Sequence, residues 1–152
     1  MAVEVNSHVV NDQLHSHIKI QPPADALVRD RVAIIAVLDI SGSMDCEATQ
    51  GQSKESDGFS RLDLVKHSVN TIIHSLEEGD YLGIVTFSTK ARTDLKLTQM
   101  DKTGKTTALD VVKSMKTEGS TNLWDGIKNG LDMSQNNICE NRNTFVVVLS
   151  DG

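Results

Sequence analysis

Long apolar runs predict three buried strands in this sequence. The first runs from Val32 to Leu38 without a polar residue and stops at Asp39. Similar runs occupy Tyr81 to Phe87 and Phe145 to Leu149. A strand that is apolar along its whole length is buried on both faces, which is typical of parallel sheets. The weaker alternation from Ala91 to Leu97 predicts a short strand at a sheet edge.

Three helices are predicted between these strands. Apolar residues recur at positions 59, 62, 65, 69, 72, 73 and 76, close to the helical period. Ser60 followed by Asp63 resembles a capping box at the start of this helix, and Gly79 suits its end. Apolar residues from Ala108 to Met115 indicate a second helix. Apolar residues spaced by four from Leu123 to Leu131 indicate a third.

The alternation of strands and helices predicts the fold class. It favours an α/β fold, with a doubly wound and mainly parallel sheet that carries helices on both faces. Ligands of such sheets bind at the carboxyl ends of the strands, where the strand order reverses. If the strands follow the common order 3-2-1-4, those that lead to Asp39 and Asp151 are neighbours. Their carboxylates then converge on one crevice.

The first 30 residues differ in character from the rest of the chain. They are polar, contain Pro22 and Pro23, and alternate between polar and apolar from His15 to Ile20. This alternation has the period of a half-exposed strand. We therefore interpret residues 1–30 as an edge strand or extension, and residues 31–152 as the domain. The N-terminus lacks the basic and apolar segments of a secretory signal, which predicts an intracellular protein.

Composition narrows the classes of partner. Acidic residues outnumber basic residues by 21 to 15, for a formal net charge of −6, and aromatic residues make up 3% of the chain. Both features argue against nucleic acid as a partner. Phosphate binding needs a basic face, and few aromatic residues are available to stack on bases. No apolar run approaches the ~20 residues of a membrane-spanning helix. Cys46 and Cys139 lack metal-motif spacing, and we expect them to be reduced thiols.

Oxygen-bearing side chains cluster in three loops at the predicted carboxyl edge of the sheet. Asp39, Ser41 and Ser43 occupy every second position after the first strand. A second group lies at Gly119 to Asn122, before the third helix, and a third at Ser150 to Gly152. Carboxylate and hydroxyl oxygens without thiolate or imidazole suit a hard cation, Mg²⁺ or Mn²⁺ before Zn²⁺.

These motifs closely resemble the von Willebrand factor A domain and its metal-ion-dependent adhesion site. The family pattern is D-x-S-x-S after the first strand, a threonine in a later loop and an aspartate after the fourth strand. The matching positions are Asp39, Ser41, Ser43, Thr121 and Asp151. The segments VLDISGSM, GSTNLWDGI and VVVLSDG follow in the expected order, so the resemblance covers residues 31–152.

The resemblance implies a role for each matching residue. Ser41, Ser43 and Thr121 would supply hydroxyls to a Mg²⁺ or Mn²⁺ ion, while Asp39 and Asp151 would act largely through bound water. The remaining coordination position would be taken by water or by a carboxylate of a partner. We therefore expect a protein–protein interaction module, not an enzyme, that binds an acidic side chain of a protein partner through the metal.

Other interpretations of the same residues stay open. Ser41 and Ser43 are also turn formers, and Thr121 or Asn122 could cap the third helix, with Asp125 completing a capping box from Asn122. A metal-dependent hydrolase would need a nucleophile or general base, and the sequence offers none beyond the metal-site carboxylates. A scaffold with a vestigial metal site is a further alternative.

The loop from Asp45 to Gly58 departs from the family pattern. It is polar, with four acidic residues and one lysine, where family members usually pass quickly into the helix. Our hypothesis is that it hangs over the metal site and tunes which partner approaches. A disordered surface insertion is the alternative.

The end of the sequence adds a further expectation. A complete domain of this family continues beyond the S-D-G loop, so we expect a C-terminally truncated chain whose fold is incomplete at that end. The last strand would then lack a neighbour and expose an apolar sheet edge, through which the protein could self-associate. A mobile Asp151 would weaken metal binding.

Overall fold

The computed structural model describes residues 2–10, 13–21, 29–48, 58–137 and 142–151. The chain divides into two compact units, Met1–Asp30 and Arg31–Gly152.

The first unit is a β-hairpin. Strand β1 (Ala2–Val10) pairs antiparallel with strand β2 (Gln13–Gln21), and Val10 lies opposite Gln13. The alternation from His15 to Ile20 predicted β2, and the structure confirms a strand there. Its partner β1 was not predicted. Pro22 and Pro23 lie outside the described residues.

The second unit is built on a four-stranded mixed sheet. Its strands are β3 (Arg31–Asp39), β4 (Tyr81–Phe87), β5 (Ala91–Gln99) and β6 (Arg142–Leu149). The strand order is β5-β4-β3-β6, with β3 parallel to both β4 and β6 and with β5 antiparallel to β4. In order of appearance within this unit, that is the predicted order 3-2-1-4. The predicted α/β fold class is confirmed.

Within the described residues, three α-helices connect the strands of this sheet: α1 (Arg61–Ser75), α2 (Lys102–Ser114) and α3 (Leu123–Gln135). The predicted capping box of α1 is present, because the Ser60 and Asp63 side chains each bond the other residue's backbone N–H. The predicted bounds of α1 were too wide. Phe59 precedes the helix and is exposed, and Gly79 lies in the turn after it, since the helix already ends at the extended Leu76.

Helices cover both faces of the sheet, as predicted. Successive residues of β3 point to opposite faces, so Ala36 and Leu38 pack with α1 and α2, while Ile35 and Val37 pack on the face covered by α3. This alternation explains the apolar run in the sequence, since both sets of side chains are buried. Within the described residues, no helix has the length and apolar character needed to cross a bilayer.

Strand β6 is less buried than its apolar sequence predicted. Among the described strands it pairs with β3 alone, at the end of the sheet. Phe145 is consequently 52% exposed and Val148 38% exposed. Val146 still packs against the core on the α3 face. Strand β6 therefore presents an apolar sheet edge.

Candidate functional site

The candidate site begins at Asp39, the last residue of the central strand β3. Its side chain is fully buried, and both carboxylate oxygens have partners. Oδ1 accepts the backbone N–H of Ser41 at 2.8 Å, and Oδ2 accepts the hydroxyl of Ser150 at 2.7 Å. Because β3 and β6 are parallel neighbours, the loops that follow them meet at one edge of the sheet.

A chain of oxygen atoms extends from Ser41 towards solvent. The hydroxyls of Ser41 and Ser43 lie 3.2 Å apart, and the Ser43 hydroxyl donates to Asp151 Oδ1 at 3.1 Å. Ser41 is buried and Ser43 is exposed. Between them begins a short 3₁₀ turn, Gly42–Asp45, which buries Met44 beneath the site. Four of the five predicted site residues are thus connected through direct hydrogen bonds.

Thr121 lies in a neighbouring loop that the backbone holds beside this chain. The N–H of Glu118 donates to Ile40 O at 2.7 Å, and the N–H of Gly42 donates to Gly119 O at 3.1 Å. Thr121 itself is exposed, and within the described part of the chain its side chain forms no hydrogen bond. The structure therefore brings the Thr121 loop to the site without joining the Thr121 hydroxyl to the other four residues.

Further contacts fix the position of the Thr121 loop. Gly119 has a φ of +63°, which places the next residue so that its N–H donates to the Thr89 hydroxyl at 3.1 Å. The carboxylate of Glu118 accepts from Arg92 and from the Ser88 hydroxyl. Burial opposes the charged form of Arg92, but hydrogen bonds to Asp94 and Glu118 raise its pKa, so Arg92 stays charged.

Helix α3 begins with the cap expected at Asn122 but lacks a capping box between Asn122 and Asp125. Asn122 is the N-cap, and its side chain accepts the N–H of Asp125 at 3.2 Å. The capping box from Asn122 to Asp125, which was an alternative interpretation of these residues, is absent, because the Asp125 carboxylate accepts the N–H of Ala91 at 2.6 Å and the N–H of Asn122 donates to Ser88 O. Asp125 thereby ties α3 to strand β5. Trp124, two residues after the cap, is 71% exposed.

Two contributors to the site were missed by sequence reasoning. Ser150 was placed in the third oxygen group, but its hydrogen bond to Asp39 was not predicted. Arg61 was not considered at all, although it forms an ion pair with Asp151 Oδ2. One signal was available: a basic residue at the first position of a helix is opposed by the helix dipole, and it therefore calls for an acidic partner.

The oxygen atoms at the site form hydrogen bonds to one another. Ser43 Oγ lies 3.2 Å from Ser41 Oγ and 3.1 Å from Asp151 Oδ1. Hydroxyl and carboxylate oxygens are ligand types that suit a hard cation such as Mg²⁺. Residues 29–48, 58–137 and 142–151 contain no cluster of three or more His, Cys, Asp or Glu side chains suited to a metal. Any metal here would therefore rely on hydroxyl ligands.

The loop after the 3₁₀ turn is closed at its base. The N–H of Ala48 donates to Phe59 O, and the N–H of Arg61 donates to Cys46 O, both at 3.0 Å. The hypothesis that this loop tunes partner access concerns mainly residues 49–57, which lie outside the described residues. Cys46 is a free, exposed thiol, and Cys139 also lies outside the described residues.

Comparison with known protein families identifies the domain. The sequence pattern of the von Willebrand factor type A domain matches residues 34–152, which include the candidate site and all of the main sheet except the first three residues of β3. The chain belongs to this von Willebrand factor A (vWA) family. The resemblance inferred from the motifs is confirmed at the level of family and fold.

Two proteins from different organisms are similar in sequence to this vWA chain. A probable E3 ubiquitin-protein ligase, WAVH2 of Arabidopsis thaliana, is 32% identical over 102 residues, which cover 64% of this chain and 14% of the plant protein. The inter-alpha-trypsin inhibitor heavy chain H3 of Homo sapiens is 30% identical over 122 residues, which cover 76% of this chain and 12% of the human protein. This vWA chain thus spans about an eighth of the length of these relatives.

A solved structure shares the fold. The PilB minor pilin of Streptococcus sanguinis superposes with a TM-score of 0.69 at 23% identity, covering 95% of the vWA chain and 35% of the pilin. At this identity the likeness concerns the fold alone. vWA domains generally act in protein–protein interaction and adhesion.

Proposed function

We propose that this vWA domain binds a protein partner by means of a Mg²⁺ or Mn²⁺ ion held at Asp39, Ser41, Ser43, Thr121 and Asp151. When bound, the ion supplies a Lewis-acid centre that accepts a carboxylate oxygen of an acidic partner side chain. The observation that supports the proposal is the hydrogen-bonded chain from Asp39 through Ser41 and Ser43 to Asp151, which collects oxygen ligands from two separate loops.

The charges of the site residues favour an anionic ligand. Ser41, Ser43 and Thr121 are neutral, so the hydroxyl ligands themselves compensate none of the charge of a divalent ion, and Asp39 and Asp151, acting through bound water, compensate it only from a greater distance. Asp39 already has two hydrogen-bond donors, which keep its carboxylate fixed at the base of the site. The chain has a net charge of −6 and repels acidic partners at long range. Attraction for a partner carboxylate must therefore be local, at the exposed end of the site near Ser43.

A titration with Mg²⁺, followed by calorimetry, tests the metal site. We expect Ser41→Ala and Ser43→Ala to weaken Mg²⁺ binding by more than about tenfold, because each removes one hydroxyl ligand. Ser68→Ala is the matched control, since the exposed Ser68 hydroxyl donates to Leu64 O of its own helix. Fluorescence of Trp124, the single tryptophan, gives a second readout near the Thr121 loop. A wild-type domain that does not bind Mg²⁺ or Mn²⁺ contradicts the proposal.

A pull-down tests capture of a partner. The domain is used as bait with Mg²⁺, and again with a chelator, and recovered proteins are retested after substitution of their acidic surface residues by the corresponding amides. We expect binding to require both the ion and one acidic residue of the partner. A partner whose binding persists in the chelator argues against capture through a metal.

We further propose that the domain acts by binding rather than by catalysis. vWA domains are mostly interaction modules, and the side chains that hydrogen-bond Asp39 and Asp151 are those of Ser43, Arg61 and Ser150. A screen of phosphate and ester substrates with Mg²⁺ or Mn²⁺ tests this point. Turnover that is lost in Ser41→Ala would favour the metal-dependent hydrolase instead.

A further inference from the structure

Arg61 places a positive charge directly against the candidate metal site. Asp151 Oδ1 accepts the hydroxyl of Ser43, and its other oxygen, Oδ2, accepts from Arg61 Nη1. The Asp151 side chain is 10% exposed and that of Arg61 is 34% exposed, so water screens this ion pair only in part. One carboxylate therefore connects the oxygen chain of the site to a guanidinium group.

The position of Arg61 is fixed by the backbone. It is the first residue of α1, directly after the N-cap Ser60, and its own N–H donates to Cys46 O at 3.0 Å. The positive end of the helix dipole disfavours a cation at this position. The ion pair with Asp151 offsets that cost. The guanidinium is thus held next to the site by α1 and by the end of the 3₁₀ turn.

We infer that Arg61 is a specificity-determining residue of this site, which lowers its affinity for a divalent cation and raises the affinity of the cation-loaded domain for an anionic ligand. The inference rests on the proposed function. It assigns to Arg61 a role in choosing the ligand, in addition to its role in orienting Asp151.

The two effects have opposite signs for one electrostatic reason. Asp39 and Asp151 attract a divalent cation, and the positive charge of Arg61 opposes the same cation. Once a cation is bound, the charge of Arg61 adds to the attraction that a partner carboxylate experiences. Arg61 is partly shielded from water, so its charge acts through an effective dielectric constant well below that of water. It therefore changes the free energy both of Mg²⁺ binding and of carboxylate binding to the Mg²⁺-loaded domain.

The experiment compares the wild-type domain with Arg61→Gln. Calorimetry measures the Mg²⁺ affinity. The tripeptide Gly-Glu-Gly probes carboxylate binding in saturating Mg²⁺, with Gly-Gln-Gly for comparison; both peptides are acetylated at the N-terminus and amidated at the C-terminus, so that the glutamate side chain supplies the carboxylate. We expect Arg61→Gln to bind Mg²⁺ about threefold to tenfold more tightly and to bind Gly-Glu-Gly more weakly by a similar factor. Gly-Gln-Gly should show no such difference.

Two further variants separate charge from structure. Arg61→Lys keeps the positive charge and should stay close to the wild type in both measurements. Lys102→Gln removes one positive charge from the start of α2. This helix follows the end of β5, and Gln99 of β5 pairs with Tyr81, the first residue of β4. Lys102 therefore lies near the amino end of β4, whereas the site lies at the carboxyl ends of β3 and β6. Its loss should leave the affinities for Mg²⁺ and for Gly-Glu-Gly unchanged.

Each outcome decides between the alternatives. A purely structural Arg61 predicts that Arg61→Gln weakens Mg²⁺ binding, because Asp151 is no longer held in place. Weaker or unchanged Mg²⁺ binding in Arg61→Gln, with normal binding in the wild type, overturns the inference and leaves the proposed function intact. Loss of Mg²⁺ binding in the wild type as well would overturn both.

Discussion

The hydroxyl of Ser150 donates a hydrogen bond of 2.7 Å to the fully buried carboxylate of Asp39, although 111 residues separate them in the sequence. The two residues follow neighbouring parallel strands, β6 and β3. A buried carboxylate needs such partners, because desolvation without compensating hydrogen bonds is costly. This bond therefore connects the stability of the sheet edge to the geometry of the candidate site.

Loss of this bond should destabilise the domain. We expect Ser150→Ala to lower the free energy of unfolding by about 1–3 kcal/mol, because the buried carboxylate of Asp39 loses the hydrogen-bond donor to its Oδ2. Urea unfolding measures the change. Ser114→Ala serves as the control, since the exposed Ser114 hydroxyl bonds Val111 O within the last turn of α2. Equal losses in the two variants would contradict this account.

A side chain at position 119 should disturb the Thr121 loop. Gly119 has a φ of +63°, and a Cβ there would lie 2.5 Å from Thr89 Oγ1, the acceptor of the Ser120 N–H. We expect Gly119→Ala to cost about 2 kcal/mol or more in unfolding free energy, from backbone strain plus this clash.

Gly58→Ala isolates the strain from the clash. Gly58 has a similar φ of +65°, but a Cβ there would meet nothing within 4 Å. Its alanine variant should lose about 1 kcal/mol, from strain alone. If urea unfolding gives the same loss for both glycines, the contact with Thr89 does not constrain the loop.

The contact between α3 and the sheet should not tolerate alanine at position 130. Alanine is better than glycine in a helix by about 1 kcal/mol. A Cβ at Gly130, however, would lie 2.5 Å from Cγ2 of the buried Val37. Overpacking of this kind costs about 1–3 kcal/mol, so we expect net destabilisation. Thermal unfolding of Gly130→Ala tests this, with the exposed Lys128→Ala as a control expected within about 0.5 kcal/mol of wild type.

The capping box of α1 should make stability depend on pH. Hydrogen bonds from the Ser60 hydroxyl and backbone N–H lower the pKa of Asp63 below its usual 3.8, and a smaller effect of burial opposes them. Because the folded-state pKa is the lower one, the stabilisation is present above pH ~4 and is lost as the pH falls through the folded-state pKa.

Comparison with Asp63→Asn measures this effect. The difference in unfolding free energy between wild type and Asp63→Asn, measured in urea, should be largest near neutral pH and should shrink below about pH 4. A difference that does not change between neutral pH and about pH 3 would mean that Asp63 stabilises the helix without its charge.

Local features were predictable because neighbours in sequence produce them. The capping box joins Ser60 to Asp63, three residues away, and its residue types alone identify it. The apolar run from Val32 to Leu38 likewise reports burial on both faces of one strand. The motif residues could be matched to a family pattern, and the family was confirmed.

Errors arose where a local pattern competed with a distant partner. Asp125 has the spacing of a capping box from Asn122, yet its carboxylate bonds Ala91 on strand β5. Phe145 lies in an apolar run typical of a buried strand, yet it is half exposed at the end of the sheet. For Asp125 a residue of a distant strand decided the outcome, and for Phe145 the position of β6 at the end of the described sheet did.

The sequence by itself determined the family, the strand and helix segments of the main sheet, and the residues that could supply oxygen ligands, because each depends on residue type and short-range periodicity. The tertiary structure alone decided that Ser150 bonds Asp39 and that Arg61 pairs with Asp151. Those contacts join residues about 90 to 110 positions apart, and they arise only when parallel strands bring their carboxyl ends to one edge. No short-range pattern encodes that proximity.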